Sequence, residues 1–264
     1  MKKSMVVLCA TLLVFSLLGS ANATLVGSWS FDENIGTTAN DSSGYNNTGT
    51  VYGATWVQGK YGSALSFDGI DDYVNVSNSS SINLSTWTVS FWASLSDVER
   101  TMVLLDKRNG DHDHNYEFVY YHDESHPGEH LSANIGDGTP TTTDYDNAAY
   151  APVALNPNEF YYFAATYDQN LLSVYLNGAL IASKTISMAG ILGDGNLHIG
   201  AHGITSMSPT FGIIDEVHIY NTALNFGQIQ ADMRRPPIPE PASMVLLASG
   251  LVGLAGIRKR RGNK

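Results

Sequence analysis

Between residues 25 and 233 the chain is a succession of short runs that alternate polar with apolar residues or concentrate aromatic and β-branched types. They are Leu25–Phe31, Ala64–Phe67, Tyr73–Val76, Trp87–Leu95, Met102–Asp106 and Tyr116–His122, then Tyr161–Tyr167, Leu172–Leu176, Ala179–Lys184, Leu197–Gly200 and Ile213–Tyr220. Asn109-Gly110, Asp137-Gly138, Asn177-Gly178 and Asp194-Gly195 separate them with residues suited to tight turns. Asn177-Gly178 joins two runs directly and is the strongest hairpin signal. A single segment, Phe226–Met233, carries a helical pattern, with Asn225 placed to cap it. Many short strands and one short helix predict an all-β sandwich of two antiparallel sheets. No Pro-rich or repetitive linker interrupts it, so residues 24–235 read as one domain.

Both ends read as processed segments. Lys2 and Lys3 precede an apolar run from Met5 to Leu18, followed by Ala21-Asn22-Ala23, the pattern of an N-terminal signal peptide over 1–23 cleaved before Thr24. The one cysteine, Cys9, falls inside it, so no disulfide is expected in the mature chain. At the other end, Pro236-Pro237-Ile238-Pro239-Glu240-Pro241 leads into an apolar stretch, Ala242 to Ile257, and a basic tail from Arg258 to Lys264. Apolar helix followed by basic residues predicts a single transmembrane helix with a stop-transfer cluster, and transient inner-membrane association over 236–264. Seven of the 14 basic residues lie in these two ends, so 24–235 keeps seven against 24 acidic ones. That balance excludes nucleic acid as a partner and favours cations.

The C-terminal pattern, with Pro239-Glu240-Pro241 as its motif, resembles the PEP-CTERM sorting signal. The resemblance implies processing by an exosortase-type enzyme and delivery to the surface or exopolysaccharide matrix of a Gram-negative bacterium. The central domain has Ser28-Trp29-Ser30-Phe31-Asp32-Glu33, Asp41-Ser42-Ser43-Gly44 and Gly62 through Val74, containing Phe67-Asp68-Gly69-Ile70-Asp71-Asp72-Tyr73. Phe91-Trp92, Tyr175-Leu176-Asn177-Gly178 and Ile214-Asp215-Glu216-Val217-His218-Ile219-Tyr220 follow in order. Together these blocks resemble a LamG-like domain, which implies the concanavalin A-like jelly roll. The same sandwich serves lectins, glucanases and adhesion modules, so fold does not fix function.

In this superfamily the first and last strands are neighbours and are often tied by a structural Ca²⁺. Asp32, Asp41 and Asp215 are therefore the expected metal ligands, in a site completed by other oxygens. The densest polar cluster runs from Asp111 to His130. Simple alternation would put Asp111, Asp113 and Glu117 on one strand face, with His112 and His114 on the other. Three chemistries compete with an ordinary solvated hairpin. Paired acids suit a glycosidase; Asp106 to Asn109 and the following loop resemble a pentraxin-type calcium or glycan rim; His122, His126 and His130 suit a transition metal. Sugars also stack on aromatic rings, which brings in Tyr120, Tyr121, Tyr145, Tyr150, Tyr161 and Tyr162. Asp111, Asp113, Asn115, Tyr121 and Tyr145 are the expected carbohydrate-binding set, with no catalytic residue expected. The expected protein is an exported, non-enzymatic binder of exopolysaccharide or surface glycan. A polysaccharide hydrolase or lyase, and a structural matrix protein without a ligand, are the alternatives.

Overall fold

The computed structural model describes residues 23–110, 113–123, 126–136, 147–186, 193–203 and 208–234; both terminal segments lie outside them. The chain opens with β1 (Leu25–Trp29), β2 (Thr38–Ala39), β3 (Gly49–Tyr52), β4 (Thr55–Gln58), β5 (Ser63–Asp68) and β6 (Tyr73–Val76). The middle supplies β7 (Trp87–Leu95), β8 (Met102–Arg108), β9 (His114–Asp123), β10 (His126–Asn134) and β11 (Ala148–Pro152). Then come β12 (Phe160–Tyr167), β13 (Leu171–Leu176), β14 (Ala179–Thr185), β15 (Leu197–Ile199), β16 (Phe211–Tyr220) and α1 (Phe226–Met233).

The strands form two antiparallel sheets in a jelly-roll-like sandwich. The first runs β14-β13-β12-β7-β16-β5-β4, with β1 also on β16; the second runs β11-β10-β9-β8-β15-β6-β3-β2. β5 takes the first half of β16 through Phe211 to Ile214, and β1 takes the second half through Val217 to Tyr220. Between the sheets lie Trp29, Phe67, Trp87, Phe91, Phe118, Phe163, Leu197 and Ile214, all buried. Among the described residues the buried core extends from Val26 to Ile229.

Strand β7 is buried along its whole length. Its Trp87, Val89, Phe91, Ala93 and Leu95 face the main core, while Trp92 on the opposite face joins Tyr162, Tyr220, Leu224 and Ile229 under α1. That helix begins as its sequence predicts. Asn225 Oδ1 accepts from Gln228 N at 3.0 Å, and the Gln228 side chain accepts from Asn225 N at 2.9 Å, a reciprocal cap. The β13–β14 turn also forms as expected, with Asn177 and Gly178 at φ +50° and +74°.

Candidate functional site

In the second sheet one polar residue per strand is flanked by neighbours that face the sandwich core. These residues are Thr50 on β3, Asn75 on β6, His198 on β15, Asp106 on β8, Glu117 on β9 and Asn134 on β10. Side chains alternate along a strand, so burial of Val74 and Val76, Leu197 and Ile199, and Ala133 and Ile135 in the core turns the polar residues outward. Pairing register then sets them directly opposite one another: Thr50 with Asn75, Asn75 with His198, His198 with Asp106, Asp106 with Glu117, and Glu117 with Asn134. Six adjacent strands thus carry one unbroken polar row, roughly 24 Å long at the usual strand spacing.

The centre of the row is an ion-pair network. Arg108 Nε donates to Asp106 Oδ2 at 2.6 Å, and Arg108 Nη2 donates to Glu117 Oε1. Asn134 Nδ2 donates to Glu117 Oε2 at 2.7 Å, and Ser132 Oγ donates to Asn134 Oδ1 at 2.6 Å. The backbone N–H of Gly203 covers Asp106, donating to Oδ2 at 2.7 Å. Asp106 is 0 % exposed. Burial, and then the neighbouring Glu117 carboxylate, push its pKa up, against the pull of Arg108. Among the described residues its second oxygen, Oδ1, has no hydrogen-bond partner, and neither do Asn75 Oδ1 and His198 Nδ1 in the same row. Ligand atoms of Asp106, His114 and Glu117 lie within 4.8 Å of one another. The guanidinium already bonded to both acids stands where a metal's charge would act, so the cluster works chemically as a charge-compensated pair of acids.

Aromatic rings flank the row. Tyr52 and Tyr73 stack at 4.7 Å between centroids and 14° between planes, and Tyr73 lies 5.6 Å from the His198 ring. At the far side the His130 and Tyr150 rings are 6.0 Å apart, and Tyr121 Oη is 3.5 Å from Asn134 Nδ2. Tyr52 and Tyr150 are 45 % and 46 % exposed, so part of each ring is open to solvent.

The expected carbohydrate set is only partly gathered here. Tyr121 borders the row. Asp113 is half-buried at the β8–β9 turn, where its carbonyl accepts from Asn109 N at 3.1 Å. Asn115 corrects the expectation: it is buried, and its amide both accepts from Leu84 N and donates to Leu84 O, tying down the segment before β7. Asp111 and Tyr145 lie outside the described residues. The expected face-sharing is also revised. A register shift between Lys107 and Arg108, opposite Asn115, brings His114 to the same side as Glu117. Tyr120 and Tyr162 are buried.

The three expected metal ligands are not brought together among the described residues. Asp41 is occupied by the loop it organises: Oδ1 accepts from Ser28 N and Ser43 N at 2.9 Å each, Oδ2 from Ser43 Oγ and Asn47 N at 2.8 Å each. Asp32 and Asp215 instead grip one turn from two sides. Asp32 Oδ1 accepts from Ser63 N at 2.9 Å, and Asp215 Oδ2 accepts from Tyr61 N at 3.0 Å. Asp215 is 0 % exposed, and its Oδ1 has no hydrogen-bond partner among the described residues. Burial raises its pKa to about 7. One open, dry carboxylate oxygen fits a cation at Asp215, while the Asp41 carboxylate does not fit one.

A profile of the concanavalin A-like lectin/glucanases superfamily matches residues 68–230. The chain belongs to that superfamily. The PEP-CTERM protein-sorting motif matches residues 237–261, which makes this an exported protein targeted to the cell surface. No curated protein matches the chain. Among solved structures, domain 4 of AbnA, a GH43 extracellular arabinanase from Geobacillus stearothermophilus in complex with arabinotriose, superimposes with a TM-score of 0.63. Identity is 18 %, over 80 % of this chain and 99 % of that one. The binding domain of Paraclostridial Mosquitocidal Protein 1 gives 0.61 at 19 % identity, over 80 % and 52 % of the two chains. Trypanosoma rangeli sialidase gives 0.59 at 17 %, over 80 % and 32 %. This superfamily member thus spans about half of the second protein and a third of the third, and at these identities the likeness is one of fold.

Within the superfamily frame, Asn75, His198, Arg108 and Asn134 were not singled out from sequence. Asn75, His198 and Asn134 each sit between apolar residues, as in Val74-Asn75-Val76 and Leu197-His198-Ile199, whereas Arg108 lies between Lys107 and Asn109. That local signal is visible. What makes it a site is the register across six strands, which no short window contains.

Proposed function

We propose that this exported domain binds a surface or matrix glycan along the outward polar row of its second sheet, without cleaving it, after exosortase-type processing at the C-terminal motif. The observation that carries the reading is the accessible end of the row, where exposed Thr50 and half-buried Asn75 and His198 lie beside the stacked Tyr52–Tyr73 pair. Rings that stack on sugar faces, next to side chains that can hydrogen-bond hydroxyls, are what glycan recognition needs. The arabinotriose complex among the structural neighbours is compatible with this reading.

The test is retention of residues 24–235 on immobilised exopolysaccharide, with Tyr73→Ala and Asn75→Ala beside the wild type. Each substitution is expected to weaken binding about tenfold, equivalent to about 1.4 kcal/mol. Asn75→Ala removes an unsatisfied buried oxygen, so its melting temperature should stay level or rise. Equal retention of all three proteins would remove the row from the function.

A second reading, hydrolysis, is favoured by one observation: Asp106, with its raised pKa, lies close to Glu117 in the manner of paired glycosidase acids. Against it, both acids are bonded to Arg108 and buried. Release of reducing ends from the bound glycan, abolished by Glu117→Gln, would establish the enzyme.

A structural Ca²⁺ belongs to the same proposal, with Asp215 as its protein ligand. At a concentration about 100 times its dissociation constant the ion would add ~2.7 kcal/mol. For a domain of this size, EDTA should then lower the melting midpoint by roughly 5–10 °C. An unchanged midpoint means that Asp215 is held by a proton instead.

A further inference from the structure

On the first sheet, away from the polar row, strand β4 pairs only with β5 and leaves its other side open. The loop after β1 and the β4–β5 hairpin enclose a surface cleft of about 430 Å³ there. Its walls include Asp32, Asn34, Trp56, Gln58 and Ser63. Trp56 Nε1 donates to Gly36 O at 3.0 Å, which fixes the half-buried indole where part of it packs against the core and part lines the cleft. Gln58 Nε2 donates to Gly62 O at 2.6 Å, and Asn34 Nδ2 donates to Asp32 O at 3.2 Å. Both amides are thereby oriented, and Asn34 is held at φ +59°. Gly62, at φ +53°, has no Cβ to collide with Asp32 Oδ1, so the carboxylate can lie against the hairpin.

These bonds leave the cleft rich in acceptors. Asp32 Oδ2, Asn34 Oδ1 and Gln58 Oε1 make no hydrogen bond among the described residues, while no basic residue lines the cleft. Acceptors set beside an indole match the hydroxyl donors and C–H face of a sugar ring. A carboxylate without a cation beside it repels uronate or sulfate groups. A peptide strand added to β4 is a poorer occupant, because polar side chains occupy the cleft that would receive its side chains.

We propose that this cleft is a second glycan-binding site, for a neutral sugar residue, bounded by Asp32, Asn34, Trp56 and Gln58. It stands independently of the polar row: the two sites lie on different sheets and share no residue. Two such sites on one domain would join separate stretches of polysaccharide.

The experiment is calorimetric titration of residues 24–235 with cellohexaose, laminarihexaose, arabinohexaose and hexagalacturonate. It is run on wild type, on Tyr73→Ala as the polar-row variant, and on Gln58→Ala and Trp56→Phe as cleft variants. Trp56→Phe keeps an aromatic side chain against the core, and circular dichroism melts confirm that each variant is folded. The expected result is binding of at least one neutral hexaose that survives Tyr73→Ala and falls at least fivefold in Gln58→Ala and Trp56→Phe. Hexagalacturonate should not compete. Binding lost with Tyr73→Ala and kept in both cleft variants would assign the sugar to the polar row alone and overturn the second site. Absence of neutral-sugar binding at millimolar concentration, or equal competition by hexagalacturonate, would overturn it as well.

Discussion

Replacing Asp232 by alanine is expected to destabilise the domain by about 3–5 kcal/mol, because it strips the counter-charge from a buried imidazolium. Asp232 comes from α1 and reaches into the outer face of the first sheet. Its Oδ1 lies 3.0 Å from His218 Nδ1 and accepts from Tyr220 Oη. Its Oδ2 accepts from Ser90 Oγ at 2.5 Å and Tyr162 Oη at 2.7 Å. Glu216 Oε2 is 3.5 Å from the other His218 nitrogen. Burial opposes charge on His218, yet Asp232 and Glu216 outweigh it and raise the imidazole pKa to about 9. Burial likewise opposes charge on Asp232, yet His218 and the hydroxyl donors hold its carboxyl well below the usual range.

The pH dependence has a definite sign. A raised imidazole pKa contributes stability that is complete below the unfolded value of 6.5 and is lost as pH rises through about 9. A lowered carboxyl contributes stability present above 3.8 and lost only in stronger acid. The difference in unfolding free energy between wild type and Asp232→Ala should therefore be flat from about pH 4 to 6.5 and shrink toward pH 9.5. Thermal melts across that range check it. Subtraction matters, because Asp215 and Asp106, whose pKa values are raised, lower stability in both proteins as pH climbs from 3.8. A difference that stays constant to pH 9.5 would show that His218 carries no charge in the folded state.

The second large effect is expected at Arg108. Arg108→Leu leaves Asp106 and Glu117, both buried, without the guanidinium that bonds them, at a cost of about 3–5 kcal/mol. Asp106→Asn alone should cost far less. Burial already favours the protonated carboxyl there, and an amide oxygen can still accept from Gly203 N. In Asp106→Asn/Arg108→Leu only Glu117 retains a charge, and Asn134 still donates to it. The double variant should accordingly recover a large part of the loss, a coupling that urea titrations of all four proteins resolve. Additive losses would mean that the acids do not depend on Arg108.

Regularity decided how much could be read in advance. Tyr73–Val76, Trp87–Leu95 and Phe226–Met233 form over the expected residues, because their patterns are long or bounded by clear caps and turns. The sequence pattern does not mark β10 as a strand. Its first residues, His126-Pro127-Gly128-Glu129-His130, look like a loop, and pairing with β9 on one side and β11 on the other overrides their low strand preference. β3 and β4 are four residues each, and β11 lies in a stretch that reads as irregular. The candidate site was less legible than the fold. The Asp111–His130 cluster is conspicuous by density, yet it contributes only Glu117 to the row itself, with His114 and Tyr121 beside it, while Asn75, His198 and Asn134 stand singly between apolar residues. Asp41 shows the converse: its place in a Ser/Gly loop invites a ligand role, and only the geometry reveals four donors already satisfying it.

The neighbouring placement of β1 and β16 sets an order on how this molecule is made. Leu25 faces Tyr220, and Thr24 and Asn221 exchange hydrogen bonds at 3.1 Å, a pairing that spans nearly the whole domain. The earliest strand to be synthesised cannot be satisfied until the latest has appeared. Contacts of such long sequence separation fold slowly, and until closure β1 and its neighbours remain open to pairing with another chain. Any truncation before Tyr220 should therefore leave an assembly-prone polypeptide, never a smaller working domain.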